Sequence, residues 1–182
     1  MLKNKLIIIL VACTFLFASS KYNRSEWGRW IDADRDCQDT RQEVLISESL
    51  IPVTMDSRQC KVNKGRWFCP YTGQFITDPS ILDIDHLVPL KHTHEHGGSD
   101  WSREKKREYS NYLNDPRNLI AVHRSANRQK GAKAPHEWMP KFKPYWCSYL
   151  SDWVIVKYKF KMFMSKEEIS FIEKTLHNEN CP

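Results

Sequence analysis

The chain has no Cys-x-x-Cys pair anywhere in its 182 residues, which excludes the four-cysteine zinc sites that need such short spacings. It also lacks an apolar run long enough for an ordinary membrane span. The run from Leu6 to Ala18 stops at 13 residues, where about 20 are needed. No internal repeat and no linker divides the chain, so residues 21–182 read as one domain, long enough to bury a core. No long basic arm and no base-reading helix can be recognised, which argues against a sequence-specific DNA reader. The acidic stretch Asp32-Ala33-Asp34-Arg35-Asp36 has neither the glycine nor the closing glutamate of an EF-hand, so it reads as a solvated turn. No delivery domain is visible either.

What is there begins with an export segment. Met1 to Lys5 is short and basic, and the 13-residue apolar run leads to Ser19-Ser20, the layout of a signal peptide over 1–20. Leu10-Val11-Ala12-Cys13 offers a rival lipoprotein reading with Cys13 as anchor, but Thr14 to Phe17 stays apolar where a polar tether belongs. The expectation is therefore a secreted or periplasmic monomer without a stable membrane span. Loss of Lys3 and Lys5 on cleavage lowers the formal charge from +6 to +4. A pI near 9.0 favours an anionic partner without identifying it. Beyond Cys13, five cysteines remain: Cys37, Cys60, Cys69, Cys147 and Cys181. In an oxidising compartment, two bridges and one free thiol are the simplest accounting.

Along the chain, Tyr22 to Trp30 brings aromatics that read as pins for the N-terminus. Asp39 or Thr40 caps a helix entering Gln42 to Leu50. From Val53 to Ile76 short strands alternate with turns, with Asn63-Lys64-Gly65 as a hairpin tip, and a small antiparallel sheet is expected. The stretch from His92 to Trp101 carries His92, His94, His96 and two glycines, and reads as a mobile exposed loop more readily than as a zinc site. Ser102 caps a charged helix in which Lys105, Lys106 and Arg107 form a solvated face. Tyr145 to Phe160 reads as an aromatic and basic helix. Ser165 to Glu168 forms a capping box that opens the last one.

The chemistry concentrates in two stretches. Ile81 to Val88 alternates like a strand and ends in Asp85-His86 before Pro89. Leu119 to Val122 is a second short strand, followed by a polar, basic helix carrying Asn127. Asp85 and Asn127 offer the oxygen ligands that a hard cation such as Mg²⁺ prefers. His86, on the opposite face of an extended chain, can address a water instead. His123 stands four residues before Asn127 as a further candidate ligand or groove residue.

Asp85-His86 with Asn118 and Asn127, framed by Asp83 to Leu90, Asn114 to Val122 and Ala126-Asn127-Arg128-Gln129-Lys130-Gly131, resembles the HNH endonucleases. In particular it resembles secreted members related to the C-terminal domain of GmrSD-type restriction enzymes, over roughly Trp27 to Cys181. The resemblance implies an α+β fold with a ββα-metal catalytic core, a small antiparallel sheet, surrounding helices and disulfide staples. It implies a divalent cation (Mg²⁺, or Mn²⁺) held by Asp85 and Asn127, His86 as general base, and Asn118 fixing the backbone around the imidazole. Nucleic acid is the implied substrate, DNA first and RNA as a possibility, cut with low sequence specificity. Arg41, Arg128 and Lys130 become phosphate-binding candidates, with an ion pair to Asp36 or Asp39 as the plain alternative for Arg41. The family also pairs the equivalents of Cys37 with Cys60 and of Cys147 with Cys181, which leaves Cys69 as the odd thiol. Rival functions are an inactive nucleic-acid-binding or inhibitor module, and a toxin-type nuclease with one specific target.

Overall fold

The computed structural model describes residues 21–182; the export segment expected over 1–20 lies outside them. A 3₁₀ turn, Arg24–Trp27, opens at Asn23, whose side chain accepts from the Ser25 amide. Helix α1 (Thr40–Glu48) starts where the sequence places it. The Asp39 carboxylate accepts from the Gln42 amide and so satisfies a donor that the first turn leaves open.

Strands β1 (Thr54–Met55) and β2 (Val62–Lys64) pair antiparallel, as do β3 (Trp67–Cys69) and β4 (Gln74–Ile76). The expected hairpin tip at Asn63-Lys64-Gly65 is therefore corrected. Val62 to Lys64 pairs back to Thr54 and Met55, and the tip falls at 70–73. Gly73 takes φ +72° there, and its amide reaches the Cys69 carbonyl at 2.9 Å. Gly65 serves close approach instead, since a Cβ there would lie 2.5 Å from the Trp67 ring.

The third ladder joins β5 (Leu82–His86) to β6 (Leu119–His123), with Asp83 opposite Val122 and His86 opposite Leu119. Between them run α2 (Leu90–Glu95) and α3 (Arg103–Ser110), and α4 (Arg124–Lys130) follows β6 directly and lies against both strands. Helices α5 (Trp146–Lys159) and α6 (Lys166–Asn178) complete an α+β fold with three two-stranded antiparallel sheets. Leu82, Leu119, Ala121 and Val122 are buried with Trp27, Trp67 and Trp153, which explains why β6 reads as a continuous apolar run. Side chains of this size contribute roughly 1.5–3 kcal/mol each when fully buried. Among the described residues no helix is long and apolar enough to cross a membrane.

The disulfides join Cys37 to Cys60 and Cys147 to Cys181, and Cys69 is free and buried in β3, where its Sγ accepts from the His123 amide at 3.2 Å. Two expectations for the connection between β5 and β6 are overturned. The His-rich stretch is largely helical, with His92 and His94 buried, because His92 and His96 gather with Lys157 around Glu168. Lys106 is not on a solvated face: its ammonium meets Glu26 at 2.8 Å and the Ser99 carbonyl at 3.3 Å.

Candidate active site

Strand β5 ends at one open cavity of about 300 Å³. Asp85, His86 and Asn127 all border it, with Tyr22, Arg24 and Trp30 on the near side. His86 is buried between two aromatic planes, Trp30 at 5.4 Å and Tyr109 at 5.9 Å between ring centres. Its Nε2 lies 2.9 Å from the main-chain carbonyl oxygen of Ser110, at the end of α3. A carbonyl only accepts, so Nε2 carries the hydrogen and the neutral ring keeps its lone pair on Nδ1. Burial drives the imidazole pKa down to about 3 against the Ser110 carbonyl, which favours the cation; Arg24 and Lys130 add to the fall. The ring is thus neutral around pH 7, the form able to take a proton.

Asp85 is buried as well, and one of its two oxygens is already engaged. Oδ2 accepts from the Tyr71 hydroxyl at 2.6 Å and from the Lys130 ammonium at 2.7 Å. Burial pushes the Asp85 carboxyl up while Lys130 and Tyr71 oppose it, and burial pushes Lys130 down while Asp85 opposes it. Lys130 is therefore no phosphate ligand. It is fully buried in α4, and its remaining reach goes to the His86 carbonyl at 2.9 Å, pinning the end of β5.

Asn127 donates through Nδ2 to Asp83 at 3.2 Å, which turns its carbonyl oxygen away from that partner. Asp83 also faces Arg124 at 3.7 Å, and Arg124 donates to the Ser80 carbonyl. His123 is not on the helix face with Asn127. It is the N-cap of α4, with Nδ1 accepting from the amide and hydroxyl of Ser125 at 3.1 Å and 2.8 Å, so that nitrogen is committed to capping.

Asn118 is fully buried one residue before β6. Its Nδ2 donates to the Tyr109 carbonyl at 3.0 Å and its own carbonyl accepts from the Leu87 amide at 3.0 Å. Its side chain therefore holds the end of α3, next to the Ser110 carbonyl that meets His86, while its backbone holds the exit of β5. Arg41 makes no ion pair with Asp36 or Asp39. Its Nη2 donates to the carbonyls of Pro79 and Leu82 at 2.9 Å and 3.0 Å, fixing the entry to β5. Arg128 is exposed on α4.

Tyr71 and Ser110 escaped the sequence reading. Tyr71 sits in the β3–β4 tip, far from Asp85 in sequence. Ser110 acts through its backbone, which leaves no residue-type signal. Among the described residues two other groups of potential ligands lie elsewhere. In the cluster of His92, His96 and Glu168, the Lys157 ammonium sits 2.8 and 3.0 Å from the two Glu168 oxygens and 2.9 Å from His92 Nε2, filling the place of a cation. Burial pushes the Glu168 carboxyl up, but the nearby His92 and the hydrogen bonds from Lys157 and Trp153 prevail and hold it at about 2. The trio Asp32, Asp34 and Asp36 is exposed, and Asp32 accepts from the amides of Arg35, Asp36 and Cys37, as a solvated turn should.

The chain belongs to the family of the GmrSD restriction endonuclease C-terminal domain, which it matches over residues 39–169. The matched span includes β5, β6 and α4 with Asp85, His86, Asn118 and Asn127. An uncharacterized secreted protein of Arthroderma benhamiae is 33% identical over 156 residues, covering 86% of this chain and 74% of that protein. No solved structure matches the chain.

Proposed function

We propose that the protein is an exported, metal-dependent endonuclease of the HNH type that hydrolyses phosphodiester bonds in DNA, and in RNA where it fits the groove, with little sequence preference. The observation that carries this is the shared cavity: a carboxylate (Asp85), a carboxamide (Asn127) and a neutral imidazole with a fixed tautomer (His86) border one space. The sequence around them is of a nuclease family.

A hard divalent cation such as Mg²⁺ or Mn²⁺ suits the donors. Asp85 has Oδ1 left after Tyr71 and Lys130 take Oδ2, and Asn127 has its amide oxygen left after Nδ2 goes to Asp83. When bound, the ion supplies Lewis-acid stabilisation of charge on the phosphate and the leaving oxygen. His86 accepts the proton of the attacking water on Nδ1, and the resulting cation keeps its Nε2–H bond to the Ser110 carbonyl. Trp30 and Tyr109 confine the ring, and Asn118 keeps the end of α3 in place behind it. Lys130 bonds both Asp85 and the His86 carbonyl, tying the ligand and the base to α4. Arg128, exposed on α4, is the remaining phosphate contact from that helix.

Export would use the segment over 1–20, leaving 21–182 as one monomeric domain. A relative named as a secreted protein and two disulfides support that compartment. The test is incubation of purified mature protein with plasmid, linear duplex, single-stranded DNA and RNA, each with Mg²⁺ or EDTA. Cleavage abolished by EDTA is expected; inertness toward all four substrates in Mg²⁺ would refute the reading.

A further inference from the structure

The segment before α1 lies outside the family match, yet it walls the candidate site. Arg24 and Trp30 border the cavity that holds Asp85, His86 and Asn127. The same two residues border a second, larger cavity of about 740 Å³, completed by Ser25, Gly28, Arg29 and Asp39. The two spaces therefore adjoin across this strap. Asp39 brings a negative charge, but its carboxylate accepts from the Gln42 amide as the cap of α1.

The strap is a built wall, not a loose terminus. Trp27 is fully buried against Trp101 and Tyr109. Glu26 pairs with the buried Lys106. Asn111 holds the stretch from both sides, accepting from the Ile31 amide at 3.1 Å and donating to the Arg29 carbonyl at 3.2 Å. Arg24 uses Nη1 on the Gly28 carbonyl at 2.7 Å, which orients the guanidinium while sparing its other donors. Arg29 is exposed. Two guanidinium groups are thus presented along a space that adjoins the cavity of Asp85, His86 and Asn127.

We infer that this strap is a phosphate-binding subsite, in which Arg24 and Arg29 hold the nucleic-acid backbone next to the bond being cut and Trp30 guides it past His86. The inference rests on the nuclease reading and adds the part of the substrate grip that α4 does not supply. Arginine is suited to this work because its planar fork matches phosphate oxygens in pairs. Contacts of this kind position the strand without reading its sequence.

The test separates binding from cleavage. A fluorescent 12-nucleotide DNA is titrated by anisotropy in EDTA over a range of salt, with the parent, Arg24→Gln, Arg29→Gln, the double variant and Arg58→Gln. Arg58 is 75% exposed and borders neither cavity, so it controls for net charge alone. Each strap variant should weaken binding several-fold and reduce the slope of log affinity against log salt by roughly 0.7–0.9. Arg58→Gln should change neither, and thermal melts confirm that every variant is folded. If the parent binds and cuts while the double variant keeps its affinity and slope, the strap inference is wrong and the nuclease reading stands. A parent that neither binds nor cuts would remove both.

Discussion

The Nε2 of His86 lies 2.9 Å from the carbonyl oxygen of Ser110, a contact between β5 and the end of a helix that precedes β6. It fixes which ring nitrogen is left free, and it does so with a backbone atom that substitution of the serine side chain would not remove. Replacement of His86 by alanine should lower kcat/KM by roughly 10²–10⁴-fold while metal binding persists. Steady-state kinetics with a labelled duplex, beside a calorimetric titration with Mn²⁺, measure both. Activity near that of the parent in a folded His86→Ala protein would remove the imidazole from the mechanism.

Lys130→Met separates two roles for one lysine. Its ammonium is the buried partner of Asp85, so the variant strands a carboxylate in the interior and should cost about 3–5 kcal/mol in urea unfolding. A phosphate ligand would behave otherwise, losing substrate affinity at unchanged stability.

Glu48 gives the protein a stability that depends on pH. Burial raises its carboxyl from 4.5 to about 7, although its bond from the Ala121 amide opposes the rise. A group whose folded pKa is raised in this way favours the protonated form in the folded state. Its penalty is absent below pH 4.5, grows as pH climbs to about 7, and is then constant. Glu48→Gln keeps an acceptor for the amide without the charge. It should match the parent at pH 4 and exceed it at pH 8 by about 1–3 kcal/mol. Chemical denaturation at both pH values checks this, and a gap that does not change with pH would contradict it.

The disulfides should matter to stability and not to chemistry. They span 23 and 34 residues, and neither loop contains Asp85, His86 or Asn127. In the chain-entropy view each contributes roughly 3–4 kcal/mol. Reduction should therefore lower Tm sharply, while the fraction still folded at low temperature keeps its cleavage rate. A rate that falls in step with thiol exposure at a temperature where the protein remains folded would overturn this.

Much of this was legible in the chain. The caps at Asp39, Ser102 and Ser165 are local chemistry and fall where the sequence puts them. Alternation around Ile84 and the short apolar run at Leu119 give both strands of the third ladder, and the family resemblance gives the cysteine pairing. What could not be read was the partner of each charge. Lys130 looks like any basic residue after Asn127, and only the packing of α4 on β5 turns it inward to Asp85. His92 and His96 looked like loop residues because their counterpart, Glu168, lies on the last helix and Lys157 on the one before it. Cys69 looked spare and is a buried acceptor for the amide of His123.

The register of the third ladder has a consequence for how such a site can diverge. His86 faces Leu119, and the Leu87 amide closes on the Asn118 carbonyl, so the whole excursion between them leaves and returns at one point. Asp85 and Asn127 belong to the hairpin and α4, but Ser110, which governs the imidazole, belongs to the excursion. The two sets of contacts are therefore held by different parts of the chain. A chain in which α3 were shortened or lost would keep Asp85 and Asn127 in place and forfeit the carbonyl that orients the His86 ring.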